Sequence, residues 1–368
     1  MEYVNLGDVA TYINGYAFKP EQRGKKGLPI IRIQDLNGNS HDLGFFDGEY
    51  PKQVEINAGD ILISWSGSLG VYKWNKGKAL LNQHIFKVLF NKIKIDKEYF
   101  CYAIRNSLAA MSQQTHGATM KHITKKDFDN ILIPYPDLNV QRQIANNLEI
   151  VNELIEYYEK ELILLEQLIK ARFIEMFGDL RINDKAWDLK TFEEMSVLIT
   201  DGEHSTPKRT KEGIYLLSAR NVLNHSLQLE DVDYINRDEY LRIAKRVIPK
   251  KGDILISCSG TIGRCCSVPD YLQFQMVRSV ALIRFKEVIN PIFAEYMITS
   301  DYLQEQINSS KTMSSQANLF QGKIKKLTGF LPPIELQDQF ADFVRQVDKS
   351  RFDIKKSIIE LEREVVYD

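Results

Sequence analysis

The apolar residues Ile144, Leu148, Val151, Ile155, Tyr158, Leu162, Leu165 and Ile169 recur at alternating spacings of four and three. An unbroken heptad seam of this kind belongs to a helix that pairs lengthwise with another. A second seam, Phe340, Val344, Val347, Ile354, Ile358, Leu361 and Val365, follows in the same register 196 residues further on, with Arg351 at its fourth position. The patterns predict helices over Val140–Met176 and Gln337–Tyr367, about 55 Å and 46 Å long at 1.5 Å per residue. Prolines 134 and 136, and again 332 and 333, disfavour helix just upstream. Gly178 is placed to cap the first helix in a left-handed conformation.

Between the seams the periodicity changes. Short β-rich runs, Gly59–Trp65, His84–Phe90, Gly252–Cys258 and Arg278–Phe285, lie among Gly, Asn and Ser turns. Amphipathic stretches follow at Lys97–Met111 and Pro291–Ile307, each predicted as a helix. The run Gly59–Gly67 recurs as Gly252–Gly260 with one mismatch, Trp65 against Cys258. Ile13-Asn14-Gly15 faces Thr200-Asp201-Gly202, and Pro29–Ile33 faces Tyr215–Ala219. The chain is therefore an internal duplication. Its expected parts are a domain over 1–139, a spacer helix over 140–178, a second domain over 179–335 and a second helix over 336–368. The fold class expected is α+β: two pseudo-twofold-related mixed α/β domains joined by two long antiparallel coiled-coil helices.

Composition alters this picture mainly through charge. The 368 residues carry 48 Lys and Arg against 49 Asp and Glu, a formal charge of −1 that excludes a uniformly basic coat. Divided along the repeat, residues 1–140 hold 17 basic and 14 acidic side chains and residues 181–335 hold 21 and 19. Residues 141–180 hold 4 and 8, and residues 336–368 hold 6 and 8, so positive heads alternate with acidic helices. The basic residues cluster at equivalent places: Lys19, Arg23, Lys25 and Lys26, then Lys121, Lys125 and Lys126, and again Lys208, Arg209 and Lys211, then Lys323, Lys325 and Lys326. Phosphate contacts need side chains of this kind. With 44% hydrophobic residues and 11 prolines the chain is expected to fold, and its four cysteines make no disulfide framework. The absence of a long apolar run or a secretory pattern places it in the cytoplasm as an expectation.

Catalytic motifs are missing. No phosphate-binding G-x-x-x-x-G-K-[ST] loop and no G-x-G-x-x-G after a strand occurs, and the cysteines and histidines lack metal-ligand spacing. His84 faces Ser279 and His122 faces Phe320 in the repeat, so no acid/base pair is duplicated. Binding residues are better represented. Polar loops recur at Gln113–Lys121 and Ser309–Asn318, and the turns Ser64–Ser68 and Ser257–Thr261 offer hydroxyls beside glycine. Such side chains reach both phosphates and base edges.

These features together resemble the specificity subunit of type I restriction-modification systems, over essentially the whole chain. The matching residues are Asn14-Gly15-Tyr16-Ala17-Phe18-Lys19, Asp201-Gly202 through Pro207-Lys208, the two Gly-Asp-Ile-Leu-Ile-Ser runs, Lys121 through Lys126, Ile133-Pro134 through Gln141-Arg142-Gln143-Ile144-Ala145, and Arg172 through Asp179. The resemblance implies two target recognition domains, each reading half of a split DNA sequence, with the helices as a ruler. The clustered polar loops, duplicated turns and basic residues suggest which side chains touch DNA, Lys121 and Lys311 on phosphate and Gln113, Thr119, Ser314, Gln316 and Asn318 on bases. The full set of DNA-contacting residues expected is Lys19, Trp65, Ser66, Ser68, Gln113, His116, Thr119 and Lys121 in the first domain. In the second they are His204, Lys208, Ser259, Thr261, Lys311, Ser314, Gln316 and Asn318. The resemblance further implies no catalysis and no cofactor in this chain, with S-adenosylmethionine on methyltransferase subunits, two of them expected, and ATP with Mg on restriction subunits. A coiled-coil scaffold with two protein-binding heads is the alternative. A self-contained DNA methyltransferase would need an Asn/Asp-Pro-Pro-aromatic motif, which Leu331-Pro332-Pro333-Ile334 is not. Deleting Leu154–Lys160 keeps the heptad phase. It should change the gap in the recognised sequence or abolish assembly, as read by sequencing methylated sites; an unchanged target at full activity would contradict the ruler.

Overall fold

The computed structural model describes residues 2–39, 42–114, 124–309 and 318–367. Two compact units divide the chain, one formed by residues 1–157 with 358–368 and the other by 158–357. The divisions fall within the two long helices, Leu138–Phe177 and Ile334–Tyr367. The cause is packing: Ala145 and Ile144 belong to the core of the first unit, whereas Ile169, Phe173 and Phe177 belong to that of the second.

Each unit contains the same four-stranded antiparallel sheet. In the first unit the strands run Thr11–Asn14, Ile85–Leu89, Ile61–Ser64, Gly70–Lys73 across the sheet. In the second they run Ser196–Asp201, Val280–Phe285, Ile254–Ser257, Cys265–Ser267. The duplicated Ile-Leu-Ile-Ser run forms an inner strand buried at every position. Side chains alternate between the faces of a strand, so Ile61 and Ile63 enter one core while Leu62 enters another. Ile254, Ile256 and Leu255 repeat the division, and a strand buried on both faces reads as continuous hydrophobic sequence.

The motif aspartate is structural. Asp60 accepts the Asn57 amide at 2.8 Å and pairs with Lys87 at 3.0 Å. Asp253 likewise accepts the Lys250 amide at 2.8 Å and is held by two Arg284 nitrogens at 2.7 Å. A second sheet carries a parallel pair in both units, Leu28–Ile31 beside Ala79–Leu81 and Ile214–Leu217 beside Phe274–Met276. A two-stranded ribbon then leads into each long helix, Tyr3–Asn5 with Leu132–Pro134 and Asp188–Thr191 with Thr328–Leu331.

The helices start as the prolines predict. Asp137 caps the first, its Oδ1 accepting from the amides of Asn139 at 2.9 Å and Val140 at 3.2 Å. Gly178 ends it at φ +82°. All eight positions of the first seam are half-buried or buried, and so are the seven apolar positions of the second. Within the second unit the helices run antiparallel: Phe177 and Phe173 lie 5.6 and 5.3 Å from Phe340, and Arg172 sits over Phe343 at 5.9 Å. Arg351 pairs with Asp348 on its own helix at 3.1 Å. One predicted helix is broken. Pro291–Ile307 is two helices, Pro291–Thr299 and Asp301–Ser309, because extended Ser300 interrupts them. Its counterpart is a single helix, Lys97–Gln114.

A buried glutamine fastens each long helix to its head. Gln141, fully buried, accepts the Asp96 amide at 2.9 Å and donates to the Pro136 carbonyl at 2.8 Å. Gln337, also fully buried, accepts the Asn290 amide at 2.9 Å and donates to the carbonyls of Val288 at 3.0 Å and Pro332 at 2.8 Å. Replacing Gln337 with Met keeps the volume and strands these partners. The expected loss is about 1–3 kcal/mol, read as a lower urea midpoint for the second unit; an unchanged midpoint would refute the role.

Candidate nucleic-acid interface

At one end of each main sheet, two backbone segments are locked together in the same way. In the first unit the amides of Gly15, Tyr16 and Gln83 donate to Ile85 at 3.0 Å, Leu81 at 2.8 Å and Tyr16 at 3.0 Å. Asn82 donates to Ile31 at 3.0 Å, and Trp65 to His84 at 3.2 Å. In the second unit Gly202, Glu203 and Arg278 donate to Val280 at 3.0 Å, Met276 at 2.8 Å and Glu203 at 2.9 Å. Val277 donates to Leu217 at 3.0 Å, and Cys258 to Ser279 at 2.8 Å. The frame leaves no room for a side chain where the segments cross. A Cβ on Gly15 would lie 2.0 Å from the Asn82 carbonyl oxygen, and one on Gly202 would lie 2.4 Å from that of Met276. The glycine shared by the two motifs is thus a steric requirement.

The duplicated turns border this frame. Ser257 Oγ donates to the Thr261 carbonyl at 2.6 Å, and Ser64 Oγ to that of Ser68, so both serines close their turns. Gly67 and Gly260, at φ +71° and +70°, form the tips. Ser68 and Thr261 are exposed, Ser259 is half-buried, and Ser66 is only 7% exposed. Ser66 is therefore the most enclosed residue of its turn after Ser64. Trp65 is also half-buried. Its ring stacks on Phe86 at 5.5 Å and its Nε1 donates to Asn14 at 3.2 Å, joining the turn to the neighbouring strand. Asn318 bridges to Ser259, and the Leu319 amide donates to Cys258 at 2.9 Å, so the second polar loop ends on the same turn. His116, Thr119, Lys121, Lys311, Ser314 and Gln316 lie outside the described residues, as does the side chain of Gln113.

The loops after Gly15 and Gly202 are held by different forces. In the first unit Tyr16, buried Phe18 and Phe46 form a chain of rings 4.9 and 5.2 Å apart. In the second, Arg242 reaches Glu239 at 2.9 Å, Glu203 at 3.5 Å and Ser205 at 3.2 Å. The carboxylates in turn accept the backbone amides of Lys208 at 3.2 Å and Ser205 at 3.0 Å. The Ser205 hydroxyl holds the Glu203 carboxyl below its ordinary range, and Arg242 does the same for Glu239. Lys19, His204 and Lys208 are exposed on these loops. Three cations of the basic clusters are instead engaged: Lys125 with Asp129, Arg209 with Asp233 at 2.9 Å and Lys325 with Glu193 at 3.0 Å.

Two exposed residues of the frame, Gln83 and Arg278, are absent from the sequence-derived candidates. They precede His84 and Ser279, which face each other in the repeat, and neither carries a periodic or motif signal of its own. The cysteines are all buried, and burial pushes the thiols of Cys101 and Cys258 up to about 11 and about 12, away from nucleophilic thiolate. In the second unit a cavity of about 280 Å³ lies against Phe173, His225 and Tyr296 and shares no lining residue with the frame.

Residues 1–167 and 185–363 match the type I restriction modification DNA specificity domain. Among curated relatives, the type I restriction enzyme EcoBI specificity subunit of Escherichia coli is 26% identical, over 96% of this chain and 81% of its own. The MjaVIII specificity subunit of Methanocaldococcus jannaschii is 23% identical, over 94% and 86%. Two solved structures share the fold. The type I restriction-modification S subunit from M. genitalium has a TM-score of 0.55 and 15% identity, covering 99% of this chain and 93% of that one. A chain from a structure concerned with complex assembly and conformational transition of the type I R-M system has a TM-score of 0.62 and 16% identity, covering 99% and 95%.

Arg242→Met should release both carboxylates and loosen the loop. Amide exchange at Ser205 and Lys208, corrected for intrinsic rate, is expected to rise about tenfold. Because the carboxyl pKa values are lowered, the clamp is complete above the ordinary carboxylate pKa and lost as pH falls through the lowered one. The unaltered protein should therefore approach the variant in acid; equal protection at neutral pH would remove Arg242 from the role.

Proposed function

The chain belongs to the type I restriction-modification DNA specificity family, and from that membership we propose that its two sheet-end frames read the two halves of a split DNA target. The observation that carries this reading is the duplication itself. One backbone frame is built twice, and the side chains it displays differ between the copies, as two different half-sites demand. Exposed Lys19 and Lys208 on the adjoining loops provide phosphate contacts, which position the protein without reading sequence. The hydroxyls of Ser68 and Thr261 extend the same surface.

Chemistry resides on partner subunits in this proposal. Methyltransferase subunits, two in number, bring S-adenosylmethionine and modify adenine, while restriction subunits bring ATP and Mg. The first long helix offers them apolar surface outside its pairing seam: Ile150, Leu154 and Tyr157 in the first unit, and Ile163, Leu164 and Leu168 in the second, between 37% and 63% exposed. Exposed apolar rows of this kind mark protein contacts. They are also what a scaffold without a DNA role would display.

The full chain, purified with its methyltransferase, should retain specific duplexes from a randomised library, with affinity falling steeply as salt rises. The same split motif should carry methylated adenine in host DNA. Assembly with the methyltransferase but no enriched duplex would overturn the DNA-reading function and leave the scaffold.

A further inference from the structure

We infer that Gln83 and Arg278 are the paired base-reading side chains of the two heads, Gln83 selecting an adenine in one half-site and Arg278 a guanine in the other. This rests on the DNA-reading function proposed above and names the bases that function would distinguish.

Both residues occupy the same place in the duplicated frame. Each follows a residue in an isolated parallel bridge, Asn82 to Tyr16 or Val277 to Glu203. Each is the first residue of a two-residue turn leading into a central strand, Ile85–Leu89 or Val280–Phe285. Their backbone positions are fixed by equivalent bonds, Gln83 to the Tyr16 carbonyl at 3.0 Å and Arg278 to the Glu203 carbonyl at 2.9 Å. The following residue is tied as well, the carbonyls of His84 and Ser279 accepting the amides of Trp65 and Cys258. A side chain mounted here stands on main chain anchored from both sides, which is the preorganisation a precise contact requires.

The side chains themselves are uncommitted. Both residues are exposed, and among the described residues the Gln83 side-chain carboxamide and the Arg278 guanidinium make no hydrogen bond or ion pair. Arg242 and Arg284, by contrast, are engaged by carboxylates within the same unit. Glutamine and arginine are also the side chains whose geometry matches one base edge at two points. Gln pairs with N6 and N7 of adenine, and Arg with O6 and N7 of guanine.

The test uses the full chain in complex with its methyltransferase and a duplex library randomised across both half-sites, at fixed salt. The unaltered complex should enrich one split motif. Arg278→Ala and Arg278→Lys should each lower the preference for one guanine by roughly 5- to 150-fold, the worth of one bidentate pair, and leave the other half unchanged. Gln83→Ala should relax one adenine in the opposite half, and Gln83→Arg should move that position toward guanine. A motif unchanged in both alanine variants overturns the inference. So does a uniform loss of affinity across all sequences, which would make the two residues phosphate contacts. Failure of the unaltered complex to enrich any motif overturns the DNA-reading function instead, so the two failures are distinguishable.

Discussion

The heads depend on a crossing of two backbones with nothing between them. The segment leaving the Thr11–Asn14 strand lies against the Leu81–Ile85 turn so closely that a methyl group on Gly15 would overlap a carbonyl. The second unit repeats the crossing at Gly202. Because the bonds across it run from main chain to main chain, their geometry is indifferent to the side chains displayed outward. The parallel strand pair behind the turn and the duplicated hairpin beside it then have fixed positions. Main-chain atoms thereby hold the crossing, while the outward side chains of the same few residues take no part in those bonds.

The loops that flank the crossing show how far the copies have diverged. Edge-to-face rings of Tyr16, Phe18 and Phe46 hold one, through apolar contact that salt does not weaken. The other is held by Arg242 between two carboxylates, a partly exposed ionic arrangement that salt screens. The two loops should therefore differ in rigidity as ionic strength changes, although the strands and main-chain bonds beside them coincide. The common framework is hydrophobic and backbone-made, whereas the local supports have been replaced independently.

Much of the architecture was legible in the sequence because it rests on periodicity. The heptad seams, the closely spaced prolines and Gly178 located both long helices within a few residues, and the Gly-Asp-Ile-Leu-Ile-Ser repeat located the inner strands. The break at Ser300 was not legible. Pro291–Ile307 is continuous in hydrophobic pattern, and only the extended serine shows that two helices meet there. Nor did the motif reveal that Ser66 is enclosed while Ser68 stays exposed, since a tight turn has no simple period. Gln83 and Arg278 were visible as aligned positions but carried no signal of their own. Their interest comes from the hydrogen-bonded frame beneath them, which joins residues distant in sequence. Gln141 and Gln337 gave a weaker hint, polar residues at matching sites whose burial only the fold discloses.

The division of the long helices also bears on how the protein is made. The first unit includes Ile358–Asp368 together with residues 1–157, while the second is drawn wholly from 158–357. During vectorial synthesis the first head emerges first, yet its unit lacks a component until some two hundred further residues have been translated. The second unit can be completed earlier although it begins later. On a ribosome adding roughly 5–20 residues per second, that interval is on the order of 10–40 s, during which the seam of the first helix waits without its full complement. The unit that begins first is thus the one whose residues are complete last.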